Sequence, residues 1–316
     1  MSVYIEISIT IVKKLNLKTI KMQKIIITFS LFVASVLSAQ NFQGMAVYES
    51  KTSTSDMTSN FRGNREITPE MQKTIEERMK AMFEKTFILT FDRNASIYAE
   101  EEKIESPGQQ GGFRFMSSMM GGGGTHYKNV KDKLFLVDKE FAGKEFLIQD
   151  SLPKLEWKLT GETKQIGNYT CFKATAVRPV SQSDFRNYRP KKQEEDKKEE
   201  GDQKKEEKAA GNTNFMDQWE MPKEIEVVAW YTPDIPISQG PENYWGLPGL
   251  ILEVSDGKTV ILCSKIVMNP KEKKEIKAPK KGKIVSQQEY DKIVAEKMEE
   301  WREMGRQGGG GFRMGR

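Results

Sequence analysis

Between Gly44 and Met268 the chain alternates apolar and polar residues in short runs, the period of strands buried on one face. The runs are Gly44–Ser50, Thr86–Phe91, Ala95–Glu101, Lys133–Lys139, Lys144–Gln149, Leu155–Gln165, Asn168–Arg178, Ile225–Thr232 and Thr259–Met268. Turn residues at Asp92-Arg93-Asn94, Ala142-Gly143 and Gly167 join neighbouring runs into hairpins, and Ser255-Asp256-Gly257-Lys258 supplies another turn. Leu250–Val254 is more evenly apolar and reads as a buried strand. Two segments carry a helical period instead. Thr68 as N-cap, Pro69 at the first helical position and Glu70 in the first turn start one helix, with a stripe of Met71, Ile75, Met79, Met82 and Phe83 facing a core. Ser286, with Glu289 three residues on, starts the other over Gln287–Trp301, with a stripe of Tyr290, Ile293, Val294, Met298 and Trp301. No strand–helix–strand alternation occurs, which disfavours a doubly wound fold. The pattern predicts a mainly β protein: one curved antiparallel sheet or open half-barrel, packed by two amphipathic helices and interrupted by disordered insertions.

Those insertions break the pattern in three places. Residues 106–125 carry two glycine runs, 190–214 is a nearly neutral Lys/Glu tract, and 305–316 is a Gly/Arg tail. The Lys/Glu tract has no large apolar residues with which to offset the entropy of ordering it. The tract at 190–214 lies between strand-like runs, so it is an inserted loop, and residues 40–304 read as one domain. Gly111-Gly112-Phe113-Arg114-Phe115-Met116 is echoed by Gly310-Gly311-Phe312-Arg313-Met314. The echo reads either as paired partner-engaging segments or as coincidence in biased composition.

Residues 1–39 form a leader. Met22-Gln23-Lys24 opens a short basic region, Ile25–Leu37 is apolar, and Ser38-Ala39-Gln40 offers a cleavage point after Ala39, so residues 22–39 read as a secretory signal peptide. The apolar run is shorter than the roughly 20 residues a spanning helix needs. The formal charge of the whole chain is +5, and the leader holds five lysines against Glu6, which leaves about +1 on the rest. That balance gives no footprint for nucleic acid. Outside the leader no run is long and apolar enough for a transmembrane helix. The two cysteines, Cys171 and Cys263, sit in strand-like runs. An exported compartment permits a disulfide between them, and two buried free thiols are the equal alternative.

The chemistry-bearing patterns are sparse. The single histidine, His126, follows a glycine run and reads as a surface or strand-start residue, without ligand or nucleophile partners at useful spacing. Gly-x-Ser-x-Gly, His-Glu-x-x-His and the P-loop pattern are absent from the sequence. Glu100-Glu101-Glu102 reads as a solvated strand end. Met116, Met119 and Met120 are soft thioethers, read as adaptable contact surface more than as a copper site. The expectation is therefore no catalytic residue, no metal and no cofactor. The aromatics Trp230, Tyr231, Tyr244 and Trp245 bracket a Pro/Gly-rich loop and are the candidate binding surface; the alternative is that they cap the end of the sheet.

That loop ends in Gly246-Leu247-Pro248-Gly249-Leu250-Ile251, preceded by Gly240-Pro241. Pro248 and Gly249 suit the central positions of a type II turn, with positive φ at Gly249, launching the Leu250–Val254 strand. This hexapeptide, with Trp157-Lys158-Leu159, Ile166–Ala174, Trp230-Tyr231-Thr232 and Tyr244–Val254, resembles the GLPGLI family of exported bacterial proteins. The resemblance implies a bacterial cell envelope, periplasmic or outer-membrane-associated, and companionship with TonB-dependent outer-membrane transport. It implies no active-site residue. The expected function is a non-enzymatic binding or carrier module, with an apolar ligand or an outer-membrane transport protein as partner. The alternative is an interaction protein that docks an outer-membrane complex through its Gly/Phe/Arg/Met segments.

Overall fold

The structure is a computed structural model and describes residues 42–53, 68–101, 123–190 and 219–307. The chain divides into Met1–Gln43 and Gly44–Arg316, and the fold belongs to the second unit. Its strands are β1 (Gly44–Thr52), β2 (Glu84–Phe91), β3 (Ala95–Glu100), β4 (Thr125–Asn129), β5 (Leu134–Phe141), β6 (Lys144–Ser151), β7 (Lys158–Ile166) and β8 (Tyr169–Pro179). They continue with β9 (Arg189–Pro190), β10 (Trp219–Glu220), β11 (Glu224–Thr232), β12 (Leu250–Ser255), β13 (Thr259–Met268) and β14 (Lys283–Val285). The helices are α1 (Pro69–Phe83) and α2 (Gln287–Gln307).

Twelve strands form one open sheet in the order β14-β6-β5-β4-β3-β2-β1-β13-β12-β11-β8-β7. Two meanders are legible in that order. Strands β1 to β6 run consecutively outward in one direction, and β7, β8, β11, β12 and β13 run consecutively inward from the other. The β1–β13 pair joins them, antiparallel, with a bulge between Val47 and Tyr48. β14 adds to β6 in parallel at one edge. The pair β9–β10 closes the base of the 190–214 insertion through Pro190 and Trp219. The mainly β, single-sheet expectation holds, and burial alternates residue by residue along β1 and β2 as a one-sided sheet requires.

Local signals explain most element ends. The Asp92 carboxylate accepts from the Asn94 and Ala95 amides and sets the β2–β3 turn. Thr68 Oγ1 accepts from the Met71 amide at the start of α1. Ser286 and Glu289 form a reciprocal capping box at the start of α2: the Ser286 amide donates to Glu289 Oε2, and the Glu289 amide donates to Ser286 Oγ.

Three expectations need correction. The α1 stripe does not enter a core: Met71 is 55% exposed, and of the stripe only Phe83 is buried. The tail does not begin at Gly305, because α2 runs on to Gln307. The strand β4 begins at Thr125, inside the segment read as an insertion. Residues 106–122, 191–214 and 308–316, together with Met116, Met119, Met120 and the glycine-rich echo, lie outside the described residues.

Helix α2 packs on one face of the sheet through Tyr290 and Val294, against Phe135, Val137, Phe141, Phe146 and Ile148. On the opposite face Ala95, Tyr127, Leu136 and Leu147 are covered by Ile276 and Ala278. No helix among the described residues is long and apolar enough to cross a membrane.

Candidate functional site

The hexapeptide buries Leu247 and Gly249–Ile251 and leaves Gly246 and Pro248 exposed, and its glycines act differently from the type II turn expected. Gly249 has no positive φ; the left-handed glycine is Gly246, at φ +96. Gly249 is needed for close approach. A Cβ there would overlap the Thr232 carbonyl oxygen and sit 2.6 Å from its carbon. The hydrogen-bonded turn falls earlier, where the Tyr244 amide donates to Pro241 O at 3.0 Å, with Glu242 at φ +45. A glutamate in that region is strained unless its surroundings hold it there.

They do. Glu242 is buried at 7% exposure, and its Oε1 accepts from Arg186 Nη1 at 2.6 Å. Arg186 also grips Asp184 with two parallel bonds, Nε to Oδ1 at 2.9 Å and Nη2 to Oδ2 at 3.0 Å. Asp184 and Arg186 belong to a 3-10 turn over Phe185–Asn187, whose Phe185 joins the core under α2. From the sheet comes Lys128 of β4, 1% exposed. Its Nζ donates to the carbonyls of Gly240 at 2.8 Å, Glu242 at 3.1 Å and Tyr244 at 2.7 Å. One lysine thus satisfies three loop carbonyls that would otherwise be unpaired in the interior. The Tyr48 hydroxyl holds Ile251 O at 2.6 Å. Sheet, turn and motif loop meet at this charged node.

Electrostatics follow the pairing. Burial would raise Asp184 and Glu242, but the Arg186 charge and its hydrogen bonds outweigh that and hold both carboxylates below their ordinary range. Burial pushes the Lys128 ammonium down to about 7, while its three carbonyl partners match its three N–H donors.

A second set of groups at the node has no such pairing. Arg178 of β8 stands over the Tyr244 ring, 5.7 Å from its centroid, and its side chain makes no hydrogen bond among the described residues; its Nε is shielded from solvent. Lys139 of β5 lies 5.8 Å from the Tyr290 ring centroid and likewise has no ion pair there. Both interact electrostatically with Asp184, Arg186 and Glu242. Asn187 is 1% exposed and pairs neither end of its amide; Gln239 accepts from Ser96 but leaves Nε2 unpaired.

His126 of β4 joins this set. It pairs in register with Tyr98 and with Val137, so the three share the α2 face. Its ring lies edge-on to Tyr98 at 5.9 Å, and both of its nitrogens, like the Tyr98 hydroxyl, are shielded and without a hydrogen-bond partner among the described residues. Burial pushes the imidazole down to about 4, against the pull of Glu242.

The four candidate aromatics do not form one surface. Tyr231 and Tyr244 are buried in the core of the β8–β11–β12 half. Trp245 packs against the α2 core and donates its indole N–H to Pro153 O at 2.6 Å. Trp230 lies apart, with Lys164 Nζ 4.4 Å over its ring. Cys171 and Cys263 are both buried free thiols, raised by burial to about 11 and about 12. Among the described residues no group of three His, Cys, Asp or Glu side chains is arranged to hold a metal ion.

The node itself escaped sequence reasoning. Its members lie on β4, β5, β8, the 3-10 turn and the motif loop, so no spacing betrays them. Asp184-Phe185-Arg186 was the one local signal, an acid and a base flanking a core aromatic.

No curated protein matches the chain. Two solved structures resemble it at a distance. One is titled "Structure of PNGF-II in C2 space group", with 14% identity and TM-score 0.40, covering 80% of this chain and 33% of that one. The other is titled "Structure of PNGF-II in P21 space group", with 13% identity and TM-score 0.37, covering 78% and 31%. The chain therefore spans about a third of the length of these proteins. The sequence from Trp157 to Glu253, which takes in β7, β8, β11, the whole motif loop and most of β12, matches the model of a family described as a protein of unknown function, Porph_ging.

Proposed function

We propose that this protein is a non-enzymatic binding module of the bacterial envelope, and that its ligand is held at the node between β4, β5, the 3-10 turn and the motif loop. One observation carries this reading. Buried polar groups in folded proteins are almost always paired, yet His126, Tyr98, Asn187, Gln239 and Arg178 all keep shielded atoms there that no protein group among the described residues pairs. A network built only to hold the loop would need Lys128, Arg186, Asp184 and Glu242 and nothing more. The surplus groups have the donors and acceptors that fix a ligand's orientation. His126 makes no hydrogen bond to a nucleophile or an orienting carboxylate, which favours binding over catalysis. Secretion of the chain rests on the leader sequence.

The test is native mass spectrometry of the chain purified without denaturant from the envelope of its own cells. A non-covalent adduct that is lost on acid denaturation is the expected result. A bare chain, in a sample that melts cooperatively, would overturn the reading.

A further inference from the structure

The charges at the node point to the class of ligand. Four cationic side chains, Lys128, Lys139, Arg178 and Arg186, meet two carboxylates, Asp184 and Glu242. Arg186 is engaged by both carboxylates and Lys128 by three carbonyls. That leaves Lys139 and Arg178 in excess. Asp291 of α2 also interacts with Lys139, but its carboxylate is already engaged by Ser181, Ser183 and Gln287. With Asp291 counted, three carboxylates face four basic groups, and Arg178 and Lys139 are the two basic groups whose side chains lack a hydrogen-bonded partner among the described residues.

We propose that Arg178 and Lys139 receive an oxyanion group, a carboxylate or a phosphate, of a small ligand. This rests on the binding-module reading and narrows it. The two cations come from opposite halves of the sheet, β8 and β5, and address the same pair of carboxylates. A forked guanidinium with no hydrogen bond offers the bidentate geometry an oxyanion accepts. The ammonium adds a further donor. A cationic ligand would meet the two free cations and be repelled. A neutral ligand would leave both without a hydrogen-bonded partner, and the shielded Arg178 Nε unsatisfied, which is costly.

The chain carries its own reporter. His126 is the single histidine, and its charge environment includes Lys139, Arg186 and Glu242. The experiment is NMR of the His126 ring in the tag-free full chain during titration with inorganic phosphate and, separately, with succinate. Sodium chloride at matched ionic strength is the control. One of the two oxyanions should move the ring resonances saturably and raise the melting temperature, and which one does so separates phosphate from carboxylate. Arg178→Gln should weaken that binding at least tenfold, and Arg178→Lys should fall between it and the native chain. Lys139→Gln should weaken it as well, and it decides the matter if Arg178→Gln does not fold. Lys292→Gln, on the exposed side of α2, should leave it unchanged. Ring resonances that respond to phosphate and succinate no more than to chloride would overturn the proposal, as would equal binding by Arg178→Gln or Lys139→Gln. The two readings fail separately. A neutral adduct in the native mass spectrum removes the oxyanion and keeps the binding module; a bare chain with a silent histidine removes both.

Discussion

Lys128 and Lys139 sit on adjacent strands, facing the same side of one sheet, and the node treats them in opposite ways. Around Lys128 every charge is answered: its ammonium meets three carbonyls, and Arg186 meets both carboxylates. Around Lys139 and Arg178 nothing is answered within hydrogen-bond reach among the described residues, although the same carboxylates act on both. The engaged side holds the motif loop in a conformation, Glu242 at φ +45, that it would not adopt alone. The unengaged side touches the fold through the Tyr244 and Tyr290 rings and not through hydrogen bonds. Burial of a charge without a partner lowers stability, so the two sides should respond to substitution with different magnitude and even different sign.

Lys128→Met should give the largest effect. It removes the one donor group shared by three buried carbonyls, and should cost about 4 kcal/mol in chemical denaturation. A cost below about 1 kcal/mol would mean that the loop finds other partners and that the engaged side is not what holds it. Gly249→Ala comes next, at about 3 kcal/mol, because the new methyl group overlaps the Thr232 carbonyl and only a backbone shift relieves it. The same substitution at Gly257, where φ is +82 and nothing lies within 4 Å, separates close approach from conformational strain. It should cost only about 1 kcal/mol.

Acidification tests His126. The imidazole titrates near 6.5 when free and near 4 in the fold. Between those values only the unfolded chain takes up the proton, so stability falls as the pH drops. From pH 7 to pH 5 this amounts to about 2 kcal/mol, and His126→Gln should remove that part of the slope. An unchanged slope in the variant would show that the ring is more solvated than its shielded nitrogens imply. The smallest effect belongs to Lys139→Gln. Its melting temperature should stay level or rise, with a change of about 0.5 kcal/mol or less, since no pairing is lost. A large loss would place Lys139 on the engaged side and remove the contrast.

What the sequence reveals of this molecule tracks how local each determinant is. Strand alternation, the Asp92 turn and the Ser286/Glu289 box are set by residues within four positions of one another, and all are present. β4 was hidden because Thr-His-Tyr-Lys-Asn carries no apolar alternation; its positions on the α2 face are His126 and Lys128, and the partners of Lys128 come from far along the chain. The α1 stripe has helical period and yet stays half open, because periodicity states which face is apolar and not what lies opposite it. Gly249 was legible as a required glycine, but the reason lay with Thr232, on another strand. The node was out of reach for the same cause: Lys128 and the carbonyl of Gly240 are 112 residues apart. The hexapeptide and the four rings are contiguous in sequence, while the charges packed beneath them come from β4, β5, β8 and the 3-10 turn.

The pairing of β1 with β13 sets an order on how this chain comes into being. β1 is the first strand, and half of its hydrogen bonds await a strand that begins at Thr259; its Tyr48 hydroxyl waits for Ile251, 203 residues on. A chain that emerges from its N-terminus can zip β1 to β6 as it appears, yet the other edge of β1 stays open until almost everything else has arrived. Exposed edges recruit foreign strands, and contacts this distant form slowly. The vulnerable moment for this protein is therefore the interval before β13 arrives, when the central seam of the finished sheet is still one of its borders.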